Sequence, residues 1–336
     1  MRLGMTYDLR QDYLALGWDE EETAELDGVE TLDAIAGALG ALGYDVDRIG
    51  NVHRLAERLV AGERWELVFN IAEGFAGVGR EAQVPALLDA YEVPYVFSDP
   101  LVCALTLHKG MTKRLVRDMG VPTPAFAVVT ALADAEAVEL PFPLFVKPVA
   151  EGTSKGISAA SRVTGRAELL AECRRQLPRF PAGLLVETYL PGRELTVGVL
   201  GSGARAEAVA AMEVTLLPGA EEGIYSWANK DQWEERCRYA LAEGAAAEEA
   251  RALALAVWRG LGCRDGGRVD LRADAAGRLA FLEVNPLPGL DPVKGDLPIL
   301  CRLAGMPYQE LLGRIVDSAR ARLTPRSPAA AATGGE

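Results

Sequence analysis

Two short segments near the C-terminal end constrain this chain most: Arg268-Val269-Asp270, and Phe281-Leu282-Glu283-Val284-Asn285-Pro286. The first reads as a strand ending in polar residues. The second is an apolar run interrupted by Glu283 and Asn285. Residues two apart on a strand leave the same face. Two oxygen donors therefore project together, and Asp270 can join them from a neighbouring strand. Three hard oxygen ligands without His or Cys suit Mg²⁺ or Mn²⁺ rather than zinc. Mg²⁺ keeps waters and grips substrate phosphates, so the cluster points to a nucleotide enzyme. A strand with solvated polar residues on its outer face fits the same pattern, and these segments alone do not choose.

Matching elements lie upstream. Phe145-Val146-Lys147-Pro148 reads as an apolar strand delivering a lysine. Glu151-Gly152-Thr153-Ser154-Lys155-Gly156 follows as a small, hydroxyl-rich turn. Its glycines admit close backbone approach, and its N–H groups can cradle phosphate oxygens. The turn does not match the Walker pattern, and a plain hairpin with a surface lysine is the other reading. Further on, residues 184–190 form an apolar strand that exits through Glu187 to Leu190, and a second strand begins at Glu194. Backbone near Glu187 and Leu190 could read an adenine edge, and Glu194 could accept from ribose hydroxyls. Any strand–turn–strand would look alike.

In this order, the pieces resemble an ATP-grasp ligase of the D-alanine–D-alanine ligase family, over about residues 1–322. The Lys147-to-Ser154 stretch is similar to the family's glycine-rich grasp loop, with Glu151, Gly152, Thr153 and Ser154 expected at ATP. Residues 187–197 are similar to its adenine hinge and ribose glutamate. Thr106-Leu107-His108-Lys109 resembles the helix start that carries a first ATP lysine. Gly267 to Asp270 and Leu282 to Pro286 resemble its metal-binding end, and Pro288-Gly289 its following turn. The resemblance implies α/β, three-domain ATP-grasp architecture: an N-terminal parallel-sheet domain and two α+β domains gripping ATP. It implies ATP and Mg²⁺ as cofactors, with Mn²⁺ as a substitute. Lys109 and Lys147 would neutralise phosphates, Asp270, Glu283 and Asn285 would hold metal, and Arg268 would stabilise the transferring phosphoryl group or an oxyanion. Residues 218–236 mix Tyr225, Trp227 and Trp233 with charges and glycines. They read as a loop closing over a site, and the resemblance puts Lys230 there at the terminal phosphate.

The expected activity is ADP-forming ligation of two amino acids, or related amines and carboxylates, through an acylphosphate. The alternatives are D-alanine–D-alanine ligation itself, and a nucleotide-binding regulator that has lost catalysis. The intact Arg268, Asp270, Glu283 and Asn285 argue against the regulator. Three departures argue against standard D-alanine ligation. Met5-Thr6-Tyr7-Asp8-Leu9-Arg10 replaces the family's glycine-rich loop and its amine-binding glutamate. Ala72-Glu73-Gly74 replaces a His-Gly pair, and Glu73 could hold an ammonium. After Gly289, the usual carboxylate-binding serine gives way to a stretch bringing Lys294 near. A lysine could pair with a carboxylate from a longer stem, which suits a larger or differently placed acceptor.

Composition agrees. The 336-residue chain exceeds one ordinary core. A formal charge of −13 disfavours general binding of nucleic acid or anionic membrane. No apolar stretch approaches the ~20 residues that span a bilayer, and the start reads as a strand rather than a signal peptide. Five separated cysteines without a C-x-x-C pair read as reduced thiols in a cytoplasmic protein. The expected partners are small amino-acid-like molecules, and a homodimer is compatible with the sequence. Of the two histidines, His108 reads as a helix-start residue.

Strands are expected at residues 2–7, 44–49, 65–71 and 94–97, with helices at 30–42, 51–61 and 80–91 between them. That alternation predicts a parallel sheet. Helical patterns are expected over about 99–119, strands at 125–129, 142–149 and 183–190, and helices at 166–177, 245–261 and 307–322. Domains are expected at 1–98, 99–190 and 191–322, with residues 323–336, rich in Ala, Gly and Pro, as a disordered tail.

Overall fold

A computed structural model of the chain describes residues 1–74, 76–217 and 236–323. Lys230, with Tyr225, Trp227 and Trp233 of the expected lid, lies outside the described residues, as does the tail from 324 onward.

Alternation of apolar strands with amphipathic helices builds the N-terminal unit. Strands β1 (Arg2–Thr6), β2 (Asp45–Gly50) and β3 (Leu67–Asn70) form a parallel sheet in the order β2-β1-β3. Helices Val29–Ala41 and Val52–Val60 connect them. The strand expected at 94–97 is reduced to a single bridge between Tyr95 and Val68. Only the Val68 N–H to Pro94 O and Val96 N–H to Val68 O bonds form there, at 2.8 Å each, because the chain turns at once into the next helix.

The helical stretch over 99–119 is two helices, the first Pro100–Leu107. It breaks at His108, whose Nδ1 accepts the Met111 N–H at 3.2 Å. His108 is thus the N-cap of a second helix, Lys109–Asp118. The side chain satisfies an orphan amide at the helix start, and this places Lys109 at the first position.

The central sheet is antiparallel, in the order β4-β7-β5-β6, with β4 at Phe126–Val129, β5 at Leu144–Pro148, β6 at Arg162–Val163 and β7 at Leu184–Thr188. The C-terminal sheet is also antiparallel, in the order β10-β9-β8-β11-β12. Its strands are β8 (Glu194–Leu200), β9 (Glu207–Leu216), β10 (Cys237–Leu241), β11 (Gly266–Ala273) and β12 (Leu279–Asn285). Helix Gly244–Leu261 covers one face, burying Ala247, Ala250, Ala254, Val257 and Trp258. Its alanines let the helix sit close to the strands, so the Trp258 ring would lie 2.6 Å from a Cβ added at Gly267. A side chain at Gly267 is therefore excluded, one residue before Arg268.

The other face meets the N-terminal unit. Leu3, Met5, Phe69, Leu32 and Ile35 share one core with Leu200, Met212, Leu297, Leu300, Ile315 and Val316. Helices Asp296–Leu303 and Tyr308–Arg320 mediate this contact. Burial at about 25 cal/mol per Å² of apolar surface thus holds the first and last parts of the chain together.

Candidate active site

A cleft of about 880 Å³ runs between the central and C-terminal sheets. Lys109, Lys147, Glu151, Gly152, Ser154, Glu187, Leu190, Glu194, Arg268, Asp270 and Glu283 all line it. Elements separated by more than a hundred residues thus converge on one space. Phe145, Ile157, Tyr189 and Leu282 add apolar wall.

On the floor, strand register determines who faces whom. Arg268 stands opposite Asn285, and Asp270 opposite Glu283, on β11 and β12. All four belong to one face of the sheet. The Asp270 carboxylate pairs with the Arg268 guanidinium and accepts from Thr196 Oγ1 at 2.9 Å. Asn285 Nδ2 lies 3.4 Å from the same carboxylate. Burial works against the Arg268 charge, but Asp270, Asp296 and Glu283 outweigh it and hold the guanidinium above its usual range. Lys109 Nζ lies 3.4 Å from Glu283 and donates to Glu151 O. Across the β8–β11 ladder, Glu194 faces Arg272, with an ion pair of 3.0 Å.

At the inner end, Glu187 is 3% exposed and lies between two ammonium groups, Lys113 and Lys147, each at 2.8 Å. Burial would raise its pKa, but the two lysines hold the carboxyl below its usual range. Burial likewise works against the Lys147 charge, and Glu187, Glu283 and Glu194 more than restore it. Lys113 was not among the expected residues. The available signal was its spacing: four residues after Lys109 on one helix face.

The grasp loop sits at the cleft mouth. Thr153 and Ser154 both have positive φ, 46° and 57°. Thr153, unlike its neighbours, does not line the cleft. Gly156 has φ +73°, and a Cβ there would come within 2.7 Å of the Phe180 ring. The N-terminal unit reaches over to this loop. Arg80 pairs with Glu25 at 2.6 Å and donates to Ala150 O at 2.8 Å, while Glu25 accepts the Gly152 N–H. Lys155 pairs with Glu151 at 3.2 Å. These partners were not expected, because nothing in a linear pattern ties residue 25 to residue 152.

A second cavity of about 330 Å³ opens beside the first. It shares Lys109, Glu151, Gly152 and Glu283, and adds Glu81, Thr106, Asn285 and Leu287. Glu73, Gly289 and Lys294 line neither cavity. Glu73 follows β3, with its loop held by the Gly74 N–H donating to Asp8 at 2.8 Å. Burial and the nearby Glu81 and Glu25 push its carboxyl up. Burial likewise pushes Glu81 up, against the opposing pull of Arg80. Gly289 and Lys294 are exposed in the turn organised by Asp291, which accepts the Lys294 N–H at 2.7 Å. No three His, Cys, Asp or Glu side chains converge as a ready metal cage among the described residues. No helix among them is long and apolar enough to cross a membrane.

Comparisons with known proteins agree with this geometry. The family described as D-ala D-ala ligase C-terminus matches residues 115–317. A D-alanine–D-alanine ligase of Xanthomonas axonopodis pv. citri is 34% identical over 306 residues, covering 89% of this chain and 90% of the relative. An uncharacterised protein, y4sG, of Sinorhizobium fredii is 35% identical over 76% of this chain and 75% of its own length. In three dimensions, a D-alanine–D-alanine ligase of Bacillus anthracis complexed with ATP superposes with a TM-score of 0.73 at 20% identity, covering 96% of this chain and 97% of that one. A D-Ala:D-Ser ligase of Enterococcus faecalis gives 0.72 at 18%, covering 95% and 99%. The chain belongs to the D-alanine–D-alanine ligase family, enzymes of ATP-grasp architecture.

Proposed function

We propose that this protein binds ATP in the larger cleft and an amino-acid donor in the adjoining cavity, and joins the donor's carboxylate to an amine. The observation that carries the reading is the shared wall. Lys109, Glu151, Gly152 and Glu283 border both cavities, so a γ-phosphate in one would meet a carboxylate in the other. The units 1–98, 99–190 and 191–322 would act as donor platform, grasp domain and metal-bearing domain. All five cysteines are free and buried, which supports a cytoplasmic location.

A carboxylate oxygen attacks the γ-phosphorus, the bond to the β-phosphate breaks, and ADP leaves. The amine nitrogen then attacks the acylphosphate carbonyl, and phosphate leaves from the tetrahedral intermediate. Phosphoryl transfer needs positioning and charge neutralisation above all. Lys109 and Lys147 supply positive charge at the phosphates, and Lys230 would add to them from the segment outside the described residues. Arg268 faces the same space and stabilises developing oxyanion charge. Asp270, Glu283 and Asn285 present an all-oxygen donor set on one sheet face, which fits Mg²⁺. Mg²⁺ held there, with Mn²⁺ as a substitute, would neutralise charge on the phosphate oxygens. The backbone around Glu187 to Leu190 and the Glu194 carboxylate would take the adenine and ribose.

The nucleotide product is expected to be ADP with free phosphate. Chromatography of the spent nucleotide checks this, and AMP as the main product would reject the acylphosphate route.

The donor is proposed to be an amino acid other than D-alanine. Its ammonium would meet Glu81 in the smaller cavity, with Glu73 behind it. Burial pushes both carboxyls up despite the opposing pull of Arg80, and a bound ammonium would bring them back down. The exposed Lys294 offers no support for an acceptor contact. D-Alanine ligation is the competing reading, favoured by the names of the relatives. A screen of amino-acid pairs, following ADP release and product mass, decides between them. Efficient formation of D-alanyl-D-alanine in preference to other products would overturn the proposal.

A further inference from the structure

The reaction outlined above leaves one buried cation without a task. Lys113 is fully buried and does not line the cleft. Its ammonium forms an ion pair with Glu187 at 2.8 Å and donates to Thr123 Oγ1 at 2.9 Å and to Phe281 O at 3.1 Å. It cannot reach a ligand. Lys147, on the other side of the same carboxylate, does line the cleft.

We propose that Lys113 is a positioning residue, the standing counter-ion of Glu187 that frees Lys147 to exchange this carboxylate for a nucleotide phosphate. The proposal rests on the ATP-binding reading. Its physical basis is the cost of a buried, unpaired carboxylate, which is severe when one partner of a buried pair is withdrawn. If Lys147 were the only cation at Glu187, moving to phosphate would abandon that carboxylate in the interior. With Lys113 fixed in place, Glu187 keeps a partner throughout. Two ammonium groups share one carboxylate, so Lys147 can turn to a phosphate while Lys113 stays paired with Glu187.

The three partners of Lys113 also explain why it stays put. Phe281 O accepts from both Lys113 and Thr123 Oγ1, the latter at 2.9 Å, and the Phe281 N–H donates to Pro122 O at 2.7 Å. Lys113 therefore ties the hinge strand bearing Glu187 to β12, two residues before Glu283. Burial, reinforced by Lys147 and opposed by Glu187, lowers its pKa to about 8, so the group remains mostly charged at neutral pH.

The test compares equilibrium binding of ADP and of adenosine by calorimetry on the full chain. Their affinity ratio isolates the phosphate contribution and cancels any change at the adenine contact. Lys113→Met removes the standing counter-ion and leaves Lys147 locked to Glu187. The ratio is expected to fall about tenfold or more, with adenosine affinity held within about threefold. Lys113→Met combined with Glu187→Gln removes the anion that traps Lys147, and is expected to restore the ratio. A purely structural lysine would not be rescued in this way. An unchanged ratio in Lys113→Met, an equal loss for both ligands, or failure of the double variant to restore it would overturn the proposal. If Lys113→Met does not fold, Glu187→Gln alone decides: the ratio is expected to stay or rise, and a fall overturns the inference. A wild-type protein that binds ADP no better than adenosine would overturn the ATP reading itself, and this inference with it.

Discussion

Glu283→Ala is expected to lower turnover by on the order of 10³-fold while the protein stays folded. Glu283 stands opposite Asp270 on the sheet and is the one of the pair that leans toward Lys109. Its side chain is 24% exposed, so it contributes little to packing, and its pair with Lys109 is partly screened. What it supplies is a second carboxylate beside the phosphates. Without it, the proposed metal keeps Asp270 and Asn285 only. Steady-state rates at saturating ATP, over a range of Mg²⁺ concentrations, check the expectation. The Mg²⁺ needed for half-maximal rate should rise along with the loss. Near-normal rates, with unchanged Mg²⁺ dependence, would remove Glu283 from the metal set.

The largest effect on stability is expected at a residue with no place in the chemistry. Asp265 is fully buried and has positive φ, 65°. Its carboxylate accepts from the Phe97 N–H at 2.8 Å, Ser202 Oγ at 3.0 Å, Ser318 Oγ at 2.8 Å and Arg322 Nε at 3.0 Å. These donors come from the end of the N-terminal unit, the β8–β9 turn and the last helix and the turn just after it. One carboxylate therefore fastens three regions around the shared core. Asp265→Ala strips Arg322 and a buried amide of their partner, and is expected to cost about 3–5 kcal/mol. The left-handed backbone adds about 1 kcal/mol for alanine. Asp265→Asn keeps the shape and the backbone preference, so its loss should be smaller. Urea unfolding of the two variants measures both. A change under about 1 kcal/mol for the alanine variant would show that the hub contributes little beyond ordinary surface pairs.

The contrast between these two residues marks what could be read linearly. Glu283 was visible because a strand has a period of two: an acidic residue and an amide two apart must share a face, whatever the fold. Lys147 and the grasp loop were visible because an apolar strand running into a glycine-rich turn has few uses. The same local rules gave His108 as a helix start, and the structure has it as an N-cap. They were coarser for the helical stretch around it and failed for one short strand. The helical patterns over 99–119 are two helices, and the position of the break at His108 depends on a side-chain cap that periodicity alone does not register. Residues 94–97 look like a strand, yet a strand needs a neighbour along its length, and only Tyr95 finds one.

Asp265, Lys113, Glu25 and Arg80 were not legible, and for one reason. Each acts through partners far away in the chain: Glu25 through Gly152, Lys113 through Glu187 and Phe281, Asp265 through Phe97 and Arg322. A charged side chain in a sequence looks like a surface residue, since burial of a lone charge is prohibitive. Only the folded chain supplies the counter-charges that make burial tolerable. Sequence periodicity therefore determined the strands, the helices and the oxygen face of the metal edge, because those depend on geometry within a few residues. Tertiary structure alone decided which charges lie inside, since that depends on which distant groups the packed core brings within 3 Å of one another.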